Sequence, residues 1–149
     1  MPFKTPLKQK SAIFLDSSAF VALIDKGDQY HEDAQGFLET LNVQYQKIYT
    51  SNATIIETYR LVIHRMGWEK GIAFLNSIPN ISCDVKTFSQ DNETDARHNV
   101  EFIFCGIKIT LTDAINAAIM KDLGIGDIFS FDNDYRVMGF KVMPIILDE

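Results

Sequence analysis

Five carboxylates in this chain stand out by their surroundings. Asp16 closes the apolar run Ala12-Ile13-Phe14-Leu15, and Asp132 closes Ile128-Phe129-Ser130-Phe131, with Asp134 just beyond Asn133. Glu57 and Asp113 lie inside stretches whose apolar residues repeat at helical spacing. Carboxylate oxygens are hard ligands that suit Mg²⁺ or Mn²⁺, ions that keep several waters and bridge to phosphate oxygens. One such ion lowers the pKa of a bound water and orients it toward phosphorus, and a second stabilises the leaving oxygen. A gathered set of acids can therefore hydrolyse a phosphodiester without a side-chain nucleophile. Each acid taken singly has a simpler explanation. Thr54 with Glu57, and Thr110 with Asp113, fit the spacing of a helix capping box. Asp16 suits a helix cap, and Asp132-Asn133-Asp134 has the composition of a polar turn. The case for metal chemistry rests on the whole set.

Elements that would bring the set together follow from periodicity. Ala12 to Leu15 reads as a strand, with Ser17 or Ser18 capping a helix that runs to Lys26. Ala34, Phe37, Leu38 and Leu41 mark an amphipathic helix from about Tyr30 to Leu41, followed by a short strand at Lys47 to Thr50. The spacing from Thr54 to Met66 predicts a helix stopped by Gly67, and Trp68 to Ser77 predicts another. After Pro79, Ile81 to Phe88 reads as a strand; two further helices follow, around Ala96 to Phe104 and Leu111 to Leu123, the second closed by Gly124. Strands at Ile128 to Phe131 and Lys141 to Ile146 complete the pattern. Alternating strands and helices imply crossover connections and an α/β fold with a mainly parallel central sheet covered on both faces. Ligands bind such sheets beyond the carboxyl ends of the strands, where Asp16 and Asp132 would stand.

Bulk properties bound the alternatives. With 149 residues, the expectation is one domain over 11–149 behind a loose tail at 1–10 that carries three lysines and two prolines. A composition 46% hydrophobic and 23% charged is that of an ordinary soluble globular protein. No apolar run approaches the ~20 residues of a membrane span, and no secretory signal pattern leads the chain, so a cytoplasmic location is expected. Cys83 and Cys105 lack metal-knuckle spacing and read as buried packing residues. A net charge of −6 is the wrong sign for holding nucleic acid by bulk charge, although divalent cations among the acids would offset it where phosphate must sit.

Other residues attract weaker readings. Arg60, His64 and Arg65 follow Glu57 on the same helix and could meet RNA phosphates, but a solvated face is the simpler account. His31 and His98 have no partner at metal-ligand spacing. The spacing of Phe3, Phe14, Phe20, Phe37, Phe102 and Phe104 assigns most of them to the core rather than to base stacking. The Gly124-x-Gly126 pair lacks the features of a phosphate loop.

The same residues carry a family resemblance. Ile13-Phe14-Leu15-Asp16-Ser17-Ser18-Ala19-Phe20 resembles the opening motif of PIN-domain proteins, and Thr110 to Ala118 resembles their central helix motif. Phe129-Ser130-Phe131-Asp132-Asn133-Asp134-Tyr135 is similar to the final acidic motif, with Ser130 where the family more often has threonine. Glu57 stands where the family's helix-borne glutamate is expected. The resemblance implies a PIN-like three-layer α/β/α sandwich and a metal-dependent ribonuclease similar to VapC-type toxins, which dimerise and are restrained by a small cognate antitoxin. It assigns Asp16, Glu57, Asp113 and Asp132 as catalytic acids holding Mg²⁺ or Mn²⁺, with Asp134 a further acid, and leaves open which of Asp132 and Asp134 is the fourth ligand. Ser18, Thr112 and Ser130 would orient ligands or water. A phosphatase built on Asp132 and Asp134 is a distant second, because no second acid follows Asp16 by two residues. A catalytically silent module that binds RNA or protein is the alternative of another class.

Overall fold

The protein is described over residues 11–147 by a computed structural model, so the tail expected at 1–10 lies outside the described residues. Five strands form one sheet: β1 (Ala12–Leu15), β2 (Lys47–Ser51), β3 (Asp84–Lys86), β4 (Asp127–Phe129) and β5 (Lys141–Met143), in the order β3-β2-β1-β4-β5. Every pairing is parallel, with Phe14 opposite Tyr49 on one side and Ile128 on the other. β1, buried along its whole length, forms the centre. Its alternation divides the interior: Ala12 and Phe14 enter one apolar cluster, Ile13 and Leu15 the other.

Helices cover both faces. On the Ile13 and Leu15 face lie α1 (Ser17–Ile24) and α2 (His31–Gln44), which supply Phe20, Phe37 and Leu41. On the Phe14 face lie α5 (Gln90–His98), α6 (Leu111–Leu123) and the short α7 (Asp134–Val137), which supply Ala96, Ile115, Met120 and Tyr135. α3 (Asn52–Met66) follows β2 directly, and α4 (Trp68–Ser77) folds back so that the Phe74 ring meets Phe20 edge-on at 5.8 Å. This is the expected three-layer α/β sandwich, and its sheet is wholly parallel.

Local differences from the sequence expectation have physical causes. Asp16, not Ser17 or Ser18, caps α1, because its carboxylate accepts the Ser18 N–H. α3 starts at Asn52 with Ser51 as its cap, so Thr54 and Glu57 form no capping box. The strand sought at Ile81 to Phe88 shrinks to three residues behind a single 3₁₀ turn at Ile78–Asn80. α5 passes into a turn of π-helix at Asn99–Ile103, which leaves Phe102 exposed rather than in the core. Cys105 is exposed and Cys83 half-buried, so neither is the fully buried packing residue expected. β4 ends at Phe129, three residues before Asp132, and β5 ends at Met143.

Candidate active site

β1 and β4 are neighbours whose connections leave in opposite directions, and this is where a parallel sheet opens a crevice at its carboxyl edge. A cavity of about 260 Å³ lies there, and its lining includes Asp16, Glu57, Asp113 and Asp132. Asp16 enters from the end of β1, Glu57 from α3, Asp113 from the first turn of α6, and Asp132 from the loop after β4. Asp134 is not among the lining residues. It stands behind Asp132, and one oxygen each of Asp113, Asp132 and Asp134 lie within 4.8 Å of one another, close enough to share a cation.

Asp16 is held from several sides. Its Oδ2 accepts from the Ser18 hydroxyl at 2.8 Å and the Ser130 hydroxyl at 3.0 Å, and its Oδ1 accepts from Tyr135 Oη at 3.0 Å. The two serine hydroxyls also serve the next motif: Ser18 Oγ accepts the Phe131 N–H at 2.9 Å and Ser130 Oγ accepts the Asp132 N–H at 3.0 Å. Serine at position 130 thus keeps the hydroxyl that the threonine usual in the family would supply. The Asp132 Oδ1 accepts the Asp134 N–H at 2.9 Å, so the acidic motif is a turn as well as part of the site.

Asp113 is tied to Asp16 through one hydroxyl. Tyr135 Oη lies 3.0 Å from Oδ1 of each aspartate, and it has a single proton to give. Beneath it a buried chain continues: Asn116 Nδ2 donates to Tyr135 Oη at 3.1 Å and to Thr54 Oγ1 at 2.8 Å, and Ser51 Oγ donates to Asn116 Oδ1 at 2.6 Å. The Thr110 side chain caps α6 by accepting the Asp113 N–H. The capping reading is right for that backbone group, while the Asp113 carboxylate turns to Tyr135.

Crowding and burial disfavour ionisation of Asp16, Glu57, Asp113 and Asp134. Burial raises Asp16, opposed by its hydroxyl partners. Asp113 rises to about 8, first through burial and then through the charges of Asp16 and Asp132. Glu57 is raised by burial and by Asp16, against the pull of Arg60 and a hydrogen bond from Thr112. Asp134 rises through burial and the neighbouring Asp132, and Tyr135, fully enclosed beside two carboxylates, stays a neutral phenol. Glu57 Oε2 is buried with no hydrogen-bond partner among the described residues.

Three of the residues expected to orient ligands are thereby located: Ser18 and Ser130 on Asp16, and Thr112 beside Glu57 in a neighbouring, more apolar groove. Asn116, Tyr135 and Ser51 have no assigned role in the sequence reading, and Thr54 has one only as a helix cap. Asn116 carried a signal, as a polar residue on an otherwise apolar helix one turn after Asp113, whereas Tyr135 inside a turn carried none. Of the basic residues on α3, Arg60 lies 4.0 Å from Glu57, and Arg65 bridges to Asp28 at 2.9 Å on the cavity rim.

Comparison with known proteins agrees with this fold. VapC20 of Mycobacterium tuberculosis, a 23S rRNA-specific endonuclease, is 28% identical over 138 residues, covering 89% of this chain and 98% of its own. Its crystal structure, that of a toxin cleaving the sarcin–ricin loop, superposes with a TM-score of 0.74 at 27% identity, over 86% of this chain and 95% of VapC20. The fold also matches VapBC2 of Rickettsia felis bound to a promoter DNA fragment, with TM-score 0.64, 16% identity and coverage of 88% and 96%. VapBC-5 of M. tuberculosis, from the VapBC family of toxin–antitoxin systems, matches with TM-score 0.58, 13% identity and coverage of 91% and 99%. The PIN domain itself is matched over residues 13–141, and the chain belongs to the PIN-domain family.

Proposed function

We propose that this protein is a metal-dependent endoribonuclease that hydrolyses RNA phosphodiester bonds and serves as the toxin of a toxin–antitoxin pair. The observation that carries the reading is the mismatch inside the cavity: Asp16, Glu57, Asp113 and Asp132 converge although burial opposes the charge of Asp16, Glu57 and Asp113, and Glu57 Oε2 has no hydrogen-bond partner among the described residues. An arrangement that destabilises itself in this way fits a divalent cation, which satisfies the orphaned oxygen and neutralises the cluster. A silent binding module gains nothing from it. The reaction class agrees with the endonuclease VapC20; the RNA target is not carried over.

In this reading Asp16, Glu57, Asp113 and Asp132 hold Mg²⁺ or Mn²⁺, and Asp134 steadies Asp132 from outside the cavity. The bound ion supplies a water of lowered pKa and stabilises charge on the phosphate oxygens. Ser18, Ser130 and Tyr135 fix the lone pairs of Asp16 so that its carboxylate meets the ion without reorganising. Thr112 does the same for Glu57. Burial and the charges of Asp16 and Asp132 hold Asp113 up at about 8, so a cation held there would favour its ionised form and its binding would be linked to proton release. We further assign the chain a cytoplasmic location, a homodimeric state and a small protein partner that restrains it, in keeping with VapC-type toxins; no described helix is long and apolar enough to cross a membrane.

Incubating the purified protein with structured and unstructured RNA, with Mg²⁺ or Mn²⁺ and with EDTA, tests the proposal. Cleavage is expected only with metal, and to fall by about 100-fold or more in Asp16→Asn and Asp113→Asn. Activity surviving in both variants would refute the site assignment, and absent cleavage together with absent metal binding by calorimetry would favour the binding-only alternative.

A further inference from the structure

A second cavity, of about 310 Å³, adjoins the acid cavity, and Tyr30, Phe131 and Asp132 line both. The Tyr30 and Phe131 rings are stacked, with centroids 4.6 Å apart and planes within 5° of parallel. They form a flat aromatic ridge between the two spaces. The lining of the second cavity also includes Arg136, Pro144 and Ile146. Arg136 is exposed and donates to Asn133 Oδ1 at 2.6 Å, which leaves further guanidinium N–H donors for another acceptor.

We propose that this second cavity is a nucleotide subsite: a base of single-stranded RNA next to the scissile phosphate packs on the Tyr30 and Phe131 ridge, and Arg136 takes the phosphate beyond it. The subsite rests on the ribonuclease reading of the acid cavity. Two arguments carry it. The first is charge: at −6 the chain gains nothing from bulk attraction for RNA, so affinity away from the metal rests on local contacts, and base stacking on aromatic rings is one that net charge does not weaken. The second is registration: the Ser18 hydroxyl that donates to Asp16 at 2.8 Å also accepts the Phe131 N–H at 2.9 Å. One side chain therefore fixes the ridge relative to the acids, as a surface that positions substrate requires. Stacking distinguishes bases from sugar and phosphate but tolerates every base, so the ridge sets a preference for unpaired strands rather than for a sequence.

Fluorescence anisotropy tests this with a labelled single-stranded oligoribonucleotide and an oligomer of abasic ribose phosphates of equal length. Binding is read with Mg²⁺ in an Asp113→Asn background, where turnover is blocked. The base-bearing strand is expected to bind about tenfold tighter than the abasic one. Phe131→Leu and Tyr30→Leu should erase that difference, while Arg136→Ala, at an exposed position, should weaken both strands alike and flatten the salt dependence. No preference for bases, or a preference unchanged in both aromatic variants, would overturn the subsite. Cleavage by the unmutated chain decides the other question separately. Base-dependent binding without cleavage under any metal keeps the subsite and removes the nuclease, and cleavage with unaltered binding in the variants removes the subsite alone.

Discussion

Asp16 and Asp113 occupy the floor of the acid cavity, Glu57 its wall, and the two regions are built differently. The floor is braced by a buried chain from Ser51 through Asn116 and Tyr135, and every carboxylate contact in it is made to a group that is itself hydrogen-bonded. The wall rests on a helix face with Arg60 at 4.0 Å, a hydrogen bond from Thr112 and one buried oxygen left unpartnered. A connected polar network rigidifies its surroundings, whereas a buried acceptor with no donor costs free energy until something fills it. The floor is thus set by the protein's own groups, whereas the wall keeps a buried acceptor that a cation would complete in the proposed reading.

The largest effect that would sharpen this contrast is expected from Tyr135→Phe. It leaves both aspartates and the Asn116 N–H without their shared partner, so RNA cleavage should drop roughly 10- to 100-fold and stability by about 1–3 kcal/mol, read by denaturant unfolding. Unchanged stability would mean that the floor is not braced as described. Glu57→Gln should act more mildly, lowering cleavage about tenfold at a given Mg²⁺ concentration, with much of the loss recovered at higher metal. A loss that no metal concentration restores would place Glu57 with the floor.

The smallest effect concerns pH in the absence of metal. Asp113 titrates near 8 in the folded chain against an ordinary value of 3.8, so between those values the folded state binds the extra proton. Its contribution to stability is therefore complete below about 3.8 and is lost as pH rises toward 8. The metal-free protein should melt several degrees higher at pH 5 than at pH 8, and Mg²⁺ should recover most of the difference at pH 8. Asp113→Asn should flatten the dependence; a metal-free protein more stable at pH 8 than at pH 5 would contradict the buried, crowded floor.

How much of this was legible in the sequence differs along the chain. β1 and α6 were readable because they are fully buried or strongly periodic, and the acids at their ends followed from them. α4 was readable because Gly67, at φ 90°, and Pro79 punctuate it. The segment from Ile78 to Ile103 was readable as a strand followed by a helix but not in its bounds, because an exposed edge strand of three residues and a widened helical turn leave little periodic trace. The acids themselves could be named from their apolar neighbours. Their brace could not, because Tyr135 reaches Asp16 across 119 residues, and local pattern says nothing about such a contact.

That separation also bears on synthesis. β1 pairs with β4 through Phe14 and Ile128, and Asp16 depends on Ser130 and Tyr135 for its orientation. A nascent chain cannot close the cavity until all of these residues have left the ribosomal tunnel, since contacts so distant along the chain form only after the intervening segments are available. The acid cavity is thus assembled only after Tyr135 has emerged, whatever the order in which the strands and helices before it have formed.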